Sequence, residues 1–128
     1  NVNNLGAVLI GLISGVIVVY SINFLERQGF DDAVGAVSVH GICGIWGVFS
    51  VAIFDISSGL LFTGGTSLII PQLIGILSIS AWAYGTSYFV LKVIDSALGL
   101  RVTVEEEIAG LDATEHGTMA YGDFITKS

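Results

Sequence analysis

Residues 33–54 read AVGAVSVHGICGIWGVFSVAIF, a run free of Asp, Glu, Lys and Arg and broken only by His40. A helix needs about 20 apolar residues to cross a hydrocarbon core of roughly 30 Å, and this run meets that length. Outward in both directions the pattern repeats. Residues 5–25 carry no charge and end at Glu26-Arg27, and after Asp55 no formal charge appears until Lys92. The last gap is too long for one span. It divides at Ser57-Ser58-Gly59 and Gly64-Gly65, which read as loop. A third helix is then expected from near Ser67 or Leu68, with Pro71 in its first turn and Gly99 as its stop. At 1.5 Å per residue it would be about 45 Å long, more than the bilayer core requires. The reading is an all-α membrane protein with helices over about 4–26, 32–54 and 68–98. A membrane region over 1–99 precedes a short tail over 100–128.

Composition agrees with that reading. Of 128 residues, 53% are hydrophobic and 12% charged, too few charges to clothe a soluble core. Four Lys and Arg against 11 Asp and Glu exclude a nucleic-acid partner. One cysteine excludes an internal disulfide and a Cys-rich zinc site. Nothing in the pattern calls for a cofactor, a metal or an enzyme. The opening Asn1-Val2-Asn3-Asn4, without Met or a basic stretch, reads as part of something longer. Arg27, Lys92, Arg101 and Lys127 all fall on one side of a three-span topology, which makes that side cytoplasmic. The N-terminus is then outside and the tail inside.

Seventeen glycines suggest close helix contacts, with Gly11 and Gly15 at small-xxx-small spacing and Gly35, Gly41, Gly44 and Gly47 in or beside the second span. At helical spacing Ala36, Gly44 and Gly47 share the face of His40. A buried imidazole stays neutral and offers one donor and one acceptor. That suits a proton relay or a hydrogen bond to a small polar solute; a core histidine bonded to a backbone carbonyl is the other reading. No polar group of comparable depth lies on the other two spans, so a partner must come from elsewhere. Asp31-Asp32 stands where acids cap a helix N-terminus. Cys43 and Trp46 are expected to fill space between helices. In the tail, Thr103 and Glu106 have capping-box spacing, and Glu105-Glu106-Glu107 reads as a solvated acidic face.

Two stretches carry a resemblance. FDDAVGAVSVHGICGIWG, residues 30–47, resembles the signature of the next-to-last core helix of ammonium transporters, the Amt/MEP group. GLRVTVEEEIAGLDATEHGTMAY, residues 99–121, is similar to that family's cytoplasmic C-terminus. The related Rh proteins share the histidine but not this tail. The resemblance implies an eleven-helix fold of which these are the last three helices, and a homotrimer in the cell membrane with one path per subunit. It implies that His40 is the second of two hydrogen-bonded pore histidines, the first lying in helices outside this chain. Ammonia would cross the pore while the proton travels separately along the histidine pair. Ala36 would face the pore, and Asp31 and Asp32 would stand near the inner vestibule.

The tail, with Gly99, Arg101, Glu106, Asp112 and Thr114, would couple subunits. It would also meet a PII-type regulator in some members and be phosphorylated at the position of Thr114 in some plant members. His116 reads as a polar tail contact. This chain departs from the family pattern in having Asp-Asp-Ala for Asp-Asp-Pro, and Gly35 where some members carry an acid. Two alternatives to the transport reading remain: an ammonium sensor with little flux, and an inactive structural segment.

Overall fold

The computed structural model describes residues 1–118. Lys127 and the rest of the tail from Met119 onward lie outside the described residues. Among those described every regular element is helical: α1 (Asn4–Arg27), a π-helical segment (Val37–Ile42), α2 (Cys43–Phe54), α3 (Leu60–Thr63), α4 (Ile69–Leu98), α5 (Val104–Ala109) and α6 (Leu111–Thr114). Three helical stretches, Asn4–Arg27, Val37–Phe54 and Ile69–Leu98, are long and apolar enough to cross a membrane. The chain forms two units, Asn1–Ala83 and a second from Tyr84 onward.

The start of α1 is set by Asn3, whose side chain accepts the Gly6 N–H at 2.8 Å. At its other end Arg27 sits in the last turn, where a cation complements the helix dipole. α2 runs antiparallel to α1. The Trp46 indole Nε1–H donates to the Ile10 carbonyl at 3.2 Å, and the Cys43 thiol donates to the Ser14 carbonyl at 3.6 Å. Cys43 and Trp46, expected only to fill space, therefore also bind carbonyls already used in the α1 ladder, each of which has a second lone pair to offer. At Gly6 an added Cβ would stand 3.4 Å from the Phe54 ring.

The small residues singled out above pack otherwise than expected. A Cβ on Gly11, Gly15, Gly44 or Gly47 would meet nothing within 4 Å. The α1 face that meets α2 runs through Gly6, Ile10 and Ser14, and Gly11 and Gly15 are about 100° around the helix from it.

The second span differs from the expected helix over 32–54. Gly35 has φ +67°, a left-handed conformation open to glycine at little cost, and regular structure begins only after it. The first turn is then π-helical, with the Cys43 N–H bonded to the Ser38 carbonyl five residues back. Beyond Phe54 the buried Asp55 side chain accepts the N–H groups of Ser57 and Ser58 at 2.9 and 2.8 Å. Its turn leads into α3, a short helix in a segment expected to be loop throughout, which ends at Gly64. α4 has Pro71 in its first turn, where the missing N–H would have had no helical partner. None of its residues is buried. It stops at Gly99, φ +76°, with the Gly99 N–H on the Asp95 carbonyl at 3.0 Å and the Leu100 N–H on the Asp95 carboxylate at 3.3 Å.

Candidate functional site: the histidine cleft

Within the first unit the π segment and the start of α2 form one wall of an open cleft of about 310 Å³, and α4 forms the other. His40, Gly41, Gly44, Ile45 and Val48 line the first wall; Ile76, Ile79, Ser80 and Ala83 line the second. The imidazole and the Ser80 hydroxyl are the polar side chains in an otherwise apolar lining. A space of this kind accepts a small solute with few polar atoms and gives a full charge almost no compensation.

His40 is exposed, not buried as the sequence reading supposed, because no described helix covers it. Its face matches the expected one at Gly44 only. The cleft takes Gly44 and Val48, four and eight residues on, and neither Ala36 nor Gly47 is among its lining residues. The physical reason is the π turn, whose i→i+5 bonds make it wider than an α turn and move the following residues around the axis. On the second wall the positions 76, 79, 80 and 83 follow the i, i+3, i+4, i+7 pattern of one helix face. That stripe brings Ser80 of the third span onto the cleft with His40, where no polar group of comparable depth was expected on the other spans; its i, i+3, i+4, i+7 spacing was the signal in the sequence.

The start of the π segment is capped from a distance. Asp32 accepts the Val37 N–H through both carboxylate oxygens, at 3.2 and 3.1 Å, and the Ser38 N–H at 3.3 Å. Asp31 is exposed and takes no part in this cap. Ser38 is fully buried and its hydroxyl has no hydrogen-bond partner, and the buried Ser21 hydroxyl of α1 is in the same position.

The tail residues belong to the second unit. Thr103 and Glu106 form a reciprocal capping box at the start of α5: the Thr103 hydroxyl accepts the Glu106 N–H at 3.3 Å, and the Glu106 carboxylate accepts the Thr103 N–H at 2.9 Å. The backbone N–H of Thr103 and then its hydroxyl hold the Glu106 carboxyl below the ordinary glutamate value. Arg101 and His116 are exposed. The main-chain carbonyl of Asp112 accepts the Thr118 N–H at 3.1 Å, and the exposed Thr114 donates its hydroxyl to the Gly110 carbonyl at 3.3 Å.

Comparison with known proteins decides the family. The model described as Ammonium Transporter Family matches residues 1–121. This chain belongs to the ammonium transporter family. Ammonium transporter Amt2 of Archaeoglobus fulgidus is 40% identical over 130 residues, covering 93% of this chain and 28% of that protein. Amt1 of the same organism is 36% identical, covering 91% and 31%. A putative ammonium transporter of Synechocystis is 39% identical, covering 94% and 26%. The chain thus spans between a quarter and a third of the length of these relatives. Family and apolar helices together make this a multi-pass protein of the cell membrane.

Proposed function

We propose that this chain is the C-terminal portion of an ammonium-conducting channel, with His40 on the conduction path. The observation that carries the proposal is the placement of His40 on an otherwise apolar cleft with a single further polar side chain, Ser80. An ammonium ion is costly to bring into such a space; ammonia is far cheaper. The ion is deprotonated at the mouth, ammonia crosses the apolar stretch, and the proton moves separately through His40 and a second histidine from helices outside this chain. The names of the relatives, all of them ammonium transporters, support ammonium as the substrate.

The rest of the assembly follows the family reading. The chain works in a homotrimer, its N-terminus faces outward, and residues 100–128 form a cytoplasmic regulatory tail open to a PII-type partner. The distribution of Arg27, Lys92, Arg101 and Lys127 supports that orientation. Asp31 and Asp32 stand at the cytoplasmic mouth, and Ala36 lies one turn before His40.

The test is ammonium-evoked current across liposomes holding the complete polypeptide. His40→Ala is expected to change proton-coupled flux and ion selectivity while leaving the amount of folded protein unchanged. Equal current and selectivity in variant and parent would remove His40 from the path. Ammonium binding with no current in the parent would replace transport by sensing.

A further inference from the structure

We propose that Asp32 is the positioning residue of His40: its carboxylate holds the first turn of the second span in π geometry and so aims the imidazole into the cleft. The proposal rests on the conduction reading above for its consequence in flux, and on the geometry alone for its effect on His40.

A helix with i→i+5 bonds leaves more N–H groups unpaired at its start than an α-helix does. Two of them, those of Val37 and Ser38, are taken by Asp32 from five and six residues back. That reach is possible because Gly35 turns the intervening chain through a left-handed conformation, with the Gly35 N–H on the Asp32 carbonyl at 2.8 Å. His40 lies two residues beyond the capped pair, inside the same turn. Within that turn the fully buried Ser38 hydroxyl has no partner, which adds to the cost of the local arrangement. Geometry that is costly and held in place by a specific side chain marks a site where orientation matters.

The alternative arrangement is readily named. Without the carboxylate, the Val37 and Ser38 N–H groups turn to the carbonyls of Ala33 and Val34, four residues back, and the segment becomes α-helical. Moving one residue of register turns a side chain by about 100° around the axis. His40 then leaves the cleft, while Val48, in regular helix beyond the turn, stays.

The experiment uses the complete polypeptide with Cys43→Ser and a single reporter cysteine, His40→Cys or Val48→Cys, labelled from water by a small charged methanethiosulfonate. Adding Asp32→Ala is expected to lower the labelling rate at position 40 severalfold and leave position 48 unchanged. Asp32→Asn, which keeps one acceptor oxygen, should fall between parent and alanine variant. Unchanged labelling at 40, or an equal change at both positions, overturns the proposal. If the alanine variant does not assemble, Asp32→Asn and Asp32→Glu give the same readings. In the histidine-bearing protein, Asp32→Ala should reduce ammonium-evoked current per folded protein by about 100-fold, the scale of a misplaced reacting group. The two claims separate cleanly. Displaced labelling at 40 with undiminished current upholds the positioning and sinks the conduction role of His40; lost current with unmoved labelling overturns the positioning, and the conduction role then stands or falls with His40→Ala alone.

Discussion

The first two spans and the third solve the same length problem in different ways. α1 and α2 find each other within the chain: Trp46 and Cys43 reach across to carbonyls of Ile10 and Ser14, and Gly6 makes room for Phe54. α4, the longest of the three, buries none of its residues, and Leu77, Ile79 and Trp82 are 70, 66 and 74% exposed. Apolar sequence therefore says that a helix enters a membrane but not whether its neighbour is protein or lipid. In hydrocarbon the choice falls to hydrogen bonds and close packing, since burying one more leucine gains little there.

The sharpest way to break the comparison is to remove the tie on the packed side. Trp46→Ala in the complete, detergent-solubilised protein deletes both the half-buried ring and its bond to Ile10. It is expected to destabilise by about 2 kcal/mol. Trp46→Phe, which loses chiefly the N–H···O bond, should cost about 0.6 kcal/mol. Thermal unfolding of the two variants beside the parent checks both. No shift for the alanine variant would mean that the α1–α2 contact is incidental to stability.

How much of this was legible depends on which physical rule governed each feature. The three spans follow from charge gaps alone, so they were readable, as were the stop at Gly99 and the Thr103–Glu106 box, both set by local chemistry. The π turn was not. A run such as VSVHGI has the same apolar pattern in either helix type, and what selects the wider turn is a cap from Asp32 made possible by φ +67° at Gly35. One consequence followed directly: the face of His40 shifted from Gly47 to Val48. The pairing of α1 with α2 was half legible, because Cys43 and Trp46 stood out while the carbonyls they meet carry no sequence signal. Gly11 and Gly15 caught attention by spacing, yet the contact face runs through Gly6.

The tail supplies a smaller, purely local contrast. No described residue of α5 is buried, so its start leans on the cap, and Thr103→Ala is expected to cost α5 about 1 kcal/mol, read as lost helicity by amide chemical shifts. The pH dependence has a definite sign. Glu106 is lowered in the folded tail by bonds from Thr103, so its contribution is complete above the ordinary glutamate value and disappears as pH falls through the lowered one. Acid titration should melt α5 in that acidic window. Glu106→Gln, which keeps an acceptor for the Thr103 N–H, should remove the titration and leave α5 formed at neutral pH. Melting at the same pH in the glutamine variant would assign the transition to another acid of the tail.

The weakest expected effect sharpens the comparison most. Leu77 on α4 is 70% exposed, and truncating it leaves no cavity among the described residues. Leu77→Ala should therefore change the unfolding of the complete protein by less than about 0.5 kcal/mol if lipid is its neighbour, since one apolar contact replaces another. A loss comparable to that of Trp46→Ala would mean that another helix covers this face, and the contrast between α4 and the first two spans would then belong to the chain alone. The same measurement at Ile79, which lines the His40 cleft, separates lipid contact from pore lining. A small change in stability there, accompanied by a change in ammonium current, places the residue on the path; a small change in both places it against lipid.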